Sequence, residues 1–153
     1  RSPSRGLGDV YKRQFLQSVK FFKLNPVECP VQFSNWQSDQ ARALARELLN
    51  QPNRPTAIVC ANDALAACML QVAHELKLKV PEALSIVGMT NERVSRLTVP
   101  EITTVSIPEE EIGRAAMLAL IKSIDSKQAE GNQGIDRHAC SIVVRGSSGA
   151  APK

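Results

Sequence analysis

Short apolar runs alternate with short polar clusters between residues 54 and 107. Three short runs with strand-like composition occupy residues 56–60, 84–87 and 103–105, the last of which is Thr-Thr-Val. Polar residues follow the first two runs, with Asn62 and Asp63 after one and Thr90 and Asn91 after the other. In parallel α/β sheets, ligands bind just outside the carboxyl ends of the strands. The pattern therefore predicts an α/β fold whose polar strand ends face a small molecule.

Helices are expected where apolar residues recur at helical spacing. These segments are residues 15–23, 39–50, 64–76 and 109–124. A weak strand is predicted at residues 27–33, interrupted by Pro30, and a last strand at residues 140–145. The all-apolar run at residues 56–60 is typical of a strand covered on both faces. The sequence thus predicts a parallel sheet flanked by helices, with a polar loop at residues 126–136.

The first fourteen residues have a composition unrelated to this pattern. Residues 4–14 read SRGLGDVYKRQ, which matches, in register over eleven residues, the conceptual translation of a transposase sequencing adapter. We therefore interpret residues 1–14 as a non-native, disordered segment and exclude it from the fold. On this view the gene begins upstream of Phe15, residues 15–148 form a truncated domain, and residues 149–153 are a tail. The alternative is a genuine basic N-terminal arm.

Removing this segment changes the meaning of the charge. The whole chain carries +4, of which the first fourteen residues, with four basic and one acidic side chain, contribute +3. The remaining residues are nearly neutral, so the charge alone does not indicate nucleic-acid binding. No apolar run reaches the roughly 20 residues of a membrane span.

Neither catalysis nor metal binding is indicated. The four cysteines are Cys29, Cys60, Cys68 and Cys140, and their spacing matches neither a CxxC pair nor a metal site. We expect them to be small buried side chains, and free thiols suit a reducing cytoplasm. His74 is expected on a helix and His138 in a loop beside Arg137, and the sequence shows no nucleophile-base-acid set. We therefore predict a protein that is not an enzyme and needs no cofactor.

Several short sequences, in order and at consistent spacing, resemble the lactose/galactose repressor (LacI/GalR) family of bacterial transcription regulators. They are RPTAI with AND at residues 54–63, VPE with LSIVG at residues 80–88, ITTV at residues 102–105, IG with AA at residues 112–116, and VVRGSS at residues 143–148. The resemblance implies a type I periplasmic-binding-protein-like fold of two α/β lobes that close on a ligand. It covers the C-terminal lobe and part of the N-terminal lobe, so a helix-turn-helix headpiece is expected to be missing. The face of helix 109–124 would then lack its partner.

The resemblance also implies a set of ligand-binding residues. Trp36 aligns with an aromatic platform of the family, although it could instead pack on its own lobe. Asn62 is expected to contact the ligand with its amide, although it could simply cap a helix, which Asp63 could do alone. Thr90, with Asn91 beside it, stands where many members have aspartate, and Ile107 where glutamine is common. These changes favour a less polar effector than a ligand chosen for adjacent hydroxyls.

Partners follow from the same resemblance. The family dimerises through this lobe, and the positions implied are Ala67, Gln71, Val94 and Leu97. We expect a cytoplasmic homodimer that binds a sugar or related metabolite and reaches operator DNA only through the absent headpiece. The alternative is a periplasmic sugar-binding protein of a transporter, which shares the fold.

Overall fold

The computed structural model describes residues 7–25, 28–32, 38–125 and 137–152. The helices are α1 (Leu7–Phe21), α2 (Ser38–Leu49), α3 (Asp63–Glu75), a 3-10 helix (Arg93–Arg96) and α4 (Glu109–Asp125). The strands are β1 (Ala57–Val59), β2 (Ser85–Met89), β3 (Thr103–Ser106) and β4 (Ser141–Val143). The predicted α/β fold is confirmed, and most element boundaries agree with the sequence pattern within one or two residues.

The four strands form one sheet in the order β1-β2-β3-β4. Strands β1, β2 and β3 are parallel, with Ile58 beside Ile86 and Gly88 beside Thr104. Strand β4 joins the edge antiparallel to β3. Because the first three strands run in the same direction, their carboxyl ends lie along one edge of the sheet.

Helix α3 packs against β2 on one face of the sheet, and α2 packs against the outer side of α3. An ion pair of 2.8 Å between Arg46 and Glu75 connects the two helices at the surface. The core between helices and sheet is made of small and branched side chains, which are Ala45, Leu49, Cys60, Ala66, Met69, Leu70, Val72, Ala73, Leu84, Ile86 and Ile102. Ala66 and Ala73 are fully buried, which allows α3 to lie close to the strands.

Strand β1 differs from the prediction that both of its faces are covered. Ala57 is exposed and the Val59 side chain is 59% exposed, whereas Ile58 between them packs against the core. The all-apolar run was misleading because, among the described residues, the core covers β1 only on the side of Ile58. Its other face is open in the part of the chain that the structure describes.

The N-terminal part differs from two expectations. Helix α1 begins at Leu7 and so includes residues 7–14 of the segment expected to be disordered, whose adapter origin stays a prediction. No proline interrupts this segment, and the Ser18 hydroxyl donates to the Gln14 carbonyl across the point where the helix was expected to start. Residues 28–32 form a turn and extended chain without strand pairing, since Pro30 has no amide hydrogen to donate.

Helix α4 carries an apolar face that the described residues leave open, as predicted. Its exposed apolar side chains are Ile112, Met117, Leu118, Leu120, Ile121 and Ile124. A helix with such a face normally buries it against another element. Within the described ranges, no helix is long and apolar enough to cross a bilayer.

The segment after β4 returns to the sheet and closes it at the ends of β2 and β3 away from the polar edge. Ser147 is fully buried, and its hydroxyl donates to the Ile86 carbonyl and accepts from the Thr103 amide. Its own amide donates to Glu101 and its carbonyl accepts from Ile86. Ser147 therefore connects the starts of β2 and β3 by hydrogen bonds at the point where the two strands no longer pair with each other.

Candidate functional site

The carboxyl ends of β1, β2 and β3 bring the predicted site residues to one edge of the sheet. The Thr90 amide, directly after β2, donates to the Val105 carbonyl of β3 at 2.8 Å. The Asn91 side-chain amide donates to the Ser106 hydroxyl at 3.4 Å. Asn62 follows β1 at the same edge, at the start of α3. The described part of the predicted binding set thus lies at the carboxyl ends of neighbouring strands.

Asn62 is the N-cap of α3. Its backbone is extended, with φ of −155°, and its Oδ1 accepts a hydrogen bond from the Leu65 amide at 2.8 Å. Capping uses only the oxygen, and among the described residues nothing accepts a hydrogen bond from Nδ2. The half-buried amide can therefore cap the helix and still offer two donor hydrogens to a ligand.

Asp63 has a structural role, as expected, but it does not cap the helix. The side chain is fully buried, and its carboxylate accepts from the Thr104 hydroxyl at 2.6 Å and from the Glu92 amide at 2.7 Å. Gly88 lies directly beside it, and a Cβ at that position would overlap Asp63 Oδ1. Asp63 therefore ties the start of α3 to β3 and to the loop that follows β2.

That loop has an uncommon backbone. Thr90 has φ of 96° and Asn91 has φ of 56°. Asparagine tolerates the left-handed region, whereas a β-branched residue there is an outlier. The Thr90 hydroxyl lies within hydrogen-bonding reach of the Met89 carbonyl and the Glu92 carboxylate, and its single hydrogen donates to one of them at a time. This hydroxyl is therefore already used within its own loop.

Arg145 is a residue of this region that the sequence reasoning assigned only to a family motif. Its side chain is 10% exposed, and Nη2 donates to Asn91 Oδ1 at 2.7 Å. Nη1 donates to the Ser95 hydroxyl at 3.0 Å and to the Ile102 carbonyl at 2.7 Å. Asn91 is thus held by hydrogen bonds at both ends of its amide, and only part of its hydrogen-bonding capacity remains for a ligand.

The two remaining predicted site residues are Ile107 and Trp36. Ile107 follows β3 directly and is half-buried at the same edge, where its side chain adds an apolar surface. Trp36 lies outside the described residues. The structure therefore brings Asn62, Thr90, Asn91 and Ile107 to one edge, and it does not place the aromatic platform.

The predicted dimer residues lie on two elements in contact with each other. Ala67 and Gln71 belong to α3, which packs against the 3-10 helix that contains Val94. Leu97 ends that helix and is 69% exposed. Gln71 is exposed, and Ala67 and Val94 are half-buried. The four positions can thus form one surface.

The cysteines and acidic groups do not suggest further chemistry. Burial raises the pKa of Cys60 from 9.0 to about 12, with smaller contributions from Cys68 and Asp63, so this thiol stays protonated at neutral pH. Cys29 and Cys68 are half-buried and Cys140 is exposed, so the expectation of buried cysteines holds fully only for Cys60. In the described ranges, no three acidic, histidine or cysteine side chains are grouped to hold a metal ion.

An open groove lies elsewhere, along the first half of α4. It encloses about 540 Å³ and is lined by Glu110, Glu111, Arg114, Ala115, Leu118 and His138. His138 and Glu111 approach within 3.6 Å of each other there. Glu110, Glu111 and Arg114 are largely exposed, whereas the His138 side chain is 20% exposed. The residues that line the groove do not include Asn62, Thr90, Asn91 or Ile107. We place the candidate ligand site at the strand ends because three strands present hydrogen-bonding groups there.

A parallel sheet with polar groups at its carboxyl edge defines the class of α/β ligand-binding domains. The chain belongs to the family described as the periplasmic binding protein-like domain, whose model matches residues 2–148. The match includes most of the segment that we interpret as adapter-derived.

Curated relatives are transcriptional repressors. The chain is 38% identical over 108 residues to the HTH-type transcriptional repressor CytR of Escherichia coli strain K12, covering 70% of this chain and 31% of CytR. It is 30% identical over 149 residues to the repressor PurR of Edwardsiella ictaluri, covering 97% of this chain and 43% of PurR. The chain therefore spans less than half the length of these relatives.

A similar solved structure is a LacI family transcriptional regulator from Arthrobacter sp. FB24 in complex with lactose. The TM-score is 0.67 and the sequence identity 25%, over 74% of this chain and 42% of that chain. The family resemblance that the sequence motifs indicated is thus matched by both sequence relatives and a structural neighbour.

Proposed function

We propose that this chain is the effector-binding region of a LacI-type transcriptional regulator. In this role it binds a small, neutral, hydroxyl-bearing molecule and is not an enzyme. Binding changes the affinity of the complete protein for operator DNA, through a helix-turn-helix segment outside this sequence. The protein acts in the cytoplasm, as a homodimer.

The observation that carries this proposal is the orientation of the Asn62 amide at the polar edge, where no described residue accepts a hydrogen bond from Nδ2. Asn62 Oδ1 is used for capping, so the side chain is held in one orientation, and its Nδ2 is left to donate. A donor fixed in this way needs little ordering when a ligand binds, which favours affinity. The repressors CytR and PurR and the lactose-bound regulator support the assignment to this class.

The rest of the edge favours a neutral ligand. Asp63 is fully buried and its carboxylate is used by Thr104 and Glu92, so it does not face the ligand. The Thr90 hydroxyl bonds within its loop, and Ile107 contributes apolar surface. Amide groups and one apolar side chain suit a sugar or nucleoside more than a charged metabolite.

The substitution Asn62→Asp tests this site in the complete gene product. Aspartate caps helices about as well as asparagine, so the helix keeps its cap while the ligand loses its donor. We expect at least tenfold weaker binding in calorimetric titrations with D-ribose, D-galactose, lactose and adenosine, because the free carboxylate oxygen cannot donate. Asn62→Ser provides a second variant that retains a cap.

The matched control is Asp39→Asn, an exposed acidic residue in the first turn of α2. This control should bind like the wild type. Unchanged affinity in Asn62→Asp would remove Asn62 from the site, and absence of binding by all four probes would contradict the proposed ligand class.

The genomic sequence tests the remaining parts of the proposal. We propose that residues 1–14 come from an adapter and that the natural gene continues upstream of Phe15 into a helix-turn-helix segment. A signal peptide at that place would instead indicate a transporter's binding protein. The homodimer is tested by analytical ultracentrifugation at micromolar concentration, where Leu97→Glu should favour monomers and a persistent monomer of the wild type would refute it.

A further inference from the structure

Arg145 connects three parts of the chain, the loop after β2, the 3-10 helix and residues 101–102, through one buried guanidinium group. Its partners are the Asn91 side chain, the Ser95 side chain and the Ile102 carbonyl, at 2.7, 3.0 and 2.7 Å. Its Nε also faces the Glu101 carboxylate at 3.5 Å. A cation that is only 10% exposed has lost most of its hydration, so these contacts must compensate for the lost water.

We propose that Arg145 is a positioning residue for the ligand-binding edge. It fixes the side chain of Asn91 and at the same time holds the 3-10 helix that follows the loop. Arg145 is not placed in contact with the ligand and acts through Asn91. This inference deepens the proposed function and rests on it for the identity of the site, while the contacts of Arg145 are independent of that function.

The geometry explains why Asn91 needs such support. Its backbone has φ of 56°, and the residue before it has φ of 96°, so the loop is held in an uncommon conformation. Asn91 Oδ1 accepts from Arg145, and Nδ2 donates to Ser106, which orients the amide. One lone pair and one amide hydrogen then remain for a ligand.

The same guanidinium reaches the proposed dimer surface. The Ser95 hydroxyl, which accepts from Arg145, donates to the Glu92 carbonyl, and the Ser95 carbonyl accepts from the Ile102 amide. Ser95 lies in the 3-10 helix next to Val94. Asn91 and this helix are therefore held by the same guanidinium group.

A lysine cannot replace these contacts. The guanidinium has a planar set of five donor hydrogens, and here its two terminal nitrogens serve three acceptors on different segments. A lysine amine keeps the charge but is a single point that cannot reach all three acceptors at once. The variant Arg145→Lys therefore removes the geometry without removing the charge.

Hydrogen exchange of the complete protein without ligand tests the positioning directly. In Arg145→Lys we expect residues 90–96 to exchange about tenfold faster, because a charge-assisted hydrogen bond to the loop is lost. Asn91→Ala, which removes the partner from the other side, should accelerate the same residues. Residues in the middle of α3 should exchange as in the wild type.

The matched control is Arg54→Lys. Arg54 is also half-buried, and its Nη1 donates to the Ala83 carbonyl at 2.9 Å, at the opposite edge of the sheet. It should leave residues 90–96 unchanged. Unchanged exchange of this loop in Arg145→Lys would overturn the proposal, as would equal acceleration in both arginine variants, which would indicate general destabilisation.

Ligand titration gives a second readout, with D-ribose, D-galactose and adenosine as probes. If Arg145 acts through Asn91, Arg145→Lys weakens binding in the wild type but adds no further loss in Asn91→Ala. Additive losses would overturn the indirect role. If no probe binds the wild type, the proposed ligand class fails, and the exchange experiment still decides whether Arg145 positions the loop.

Discussion

Replacing Asp63 by alanine removes a buried carboxylate that connects three elements. The carboxylate accepts hydrogen bonds from the Thr104 hydroxyl and the Glu92 amide at 2.6 and 2.7 Å. Hydrogen bonds to a charged group contribute about 1.5–3 kcal/mol each, and the desolvation of the carboxylate offsets part of this sum. We therefore expect a loss of about 3 kcal/mol in the free energy of unfolding.

The assay is urea unfolding of the complete protein followed by circular dichroism. Asp63→Asn should lose less, about 1 kcal/mol, because its oxygen still accepts from the Glu92 amide. Asp39→Ala is the control, since Asp39 is exposed in the first turn of α2 and surface substitutions usually change stability by less than about 0.5 kcal/mol. If Asp63→Ala unfolds at the same urea concentration as this control, the carboxylate does not hold the loop.

Two further changes test the loop and the core. Thr90→Gly should stabilise the protein by up to about 1 kcal/mol, because glycine relieves the strain of φ at 96° at some cost in unfolded-chain entropy; a lower urea midpoint would contradict this. The pKa of Cys60 is about 12 in the folded protein and 9.0 in the unfolded chain, so between these pH values only the unfolded chain ionises. We therefore expect the protein to lose stability as the pH rises from about 9 towards 12. Cys60→Ala should make the decline shallower, measured as urea midpoints across that pH range, and an unchanged slope would show that Cys60 does not titrate in this way.

The elements with local sequence signals could be predicted well. Helix α3 begins directly after its asparagine cap, and β2 coincides with an apolar run, as expected from the residues themselves. The exposure of one face of β1 could not be predicted, because an apolar run reports the hydrophobicity of a strand and not which elements pack on its two faces. Residues 7–14, which are left out of the predicted fold as adapter-derived, belong to helix α1 in the structure.

The candidate site was predictable in part for a related reason. Residues next to strand ends, such as Asn62 and Asn91, could be placed at one edge from the order of the strands alone. The partners of Asn91 and Asp63 could not, because they lie far along the chain: Arg145 is 54 residues from Asn91, and Thr104 is 41 residues from Asp63. A pattern of spacing within one segment carries no information about such contacts.

The position of Ser147 has a consequence for how the chain reaches its native state. The serine bonds to Ile86, which precedes it by 61 residues, and closes the gap between β2 and β3. On the ribosome, both strands emerge well before the residue that completes their pairing. Closing such a long loop is entropically costly and slows folding. Until Ser147 has been synthesised, the Ile86 carbonyl and the Thr103 amide lack their native hydrogen-bonding partner, and this end of the sheet can pair with other incompletely folded chains.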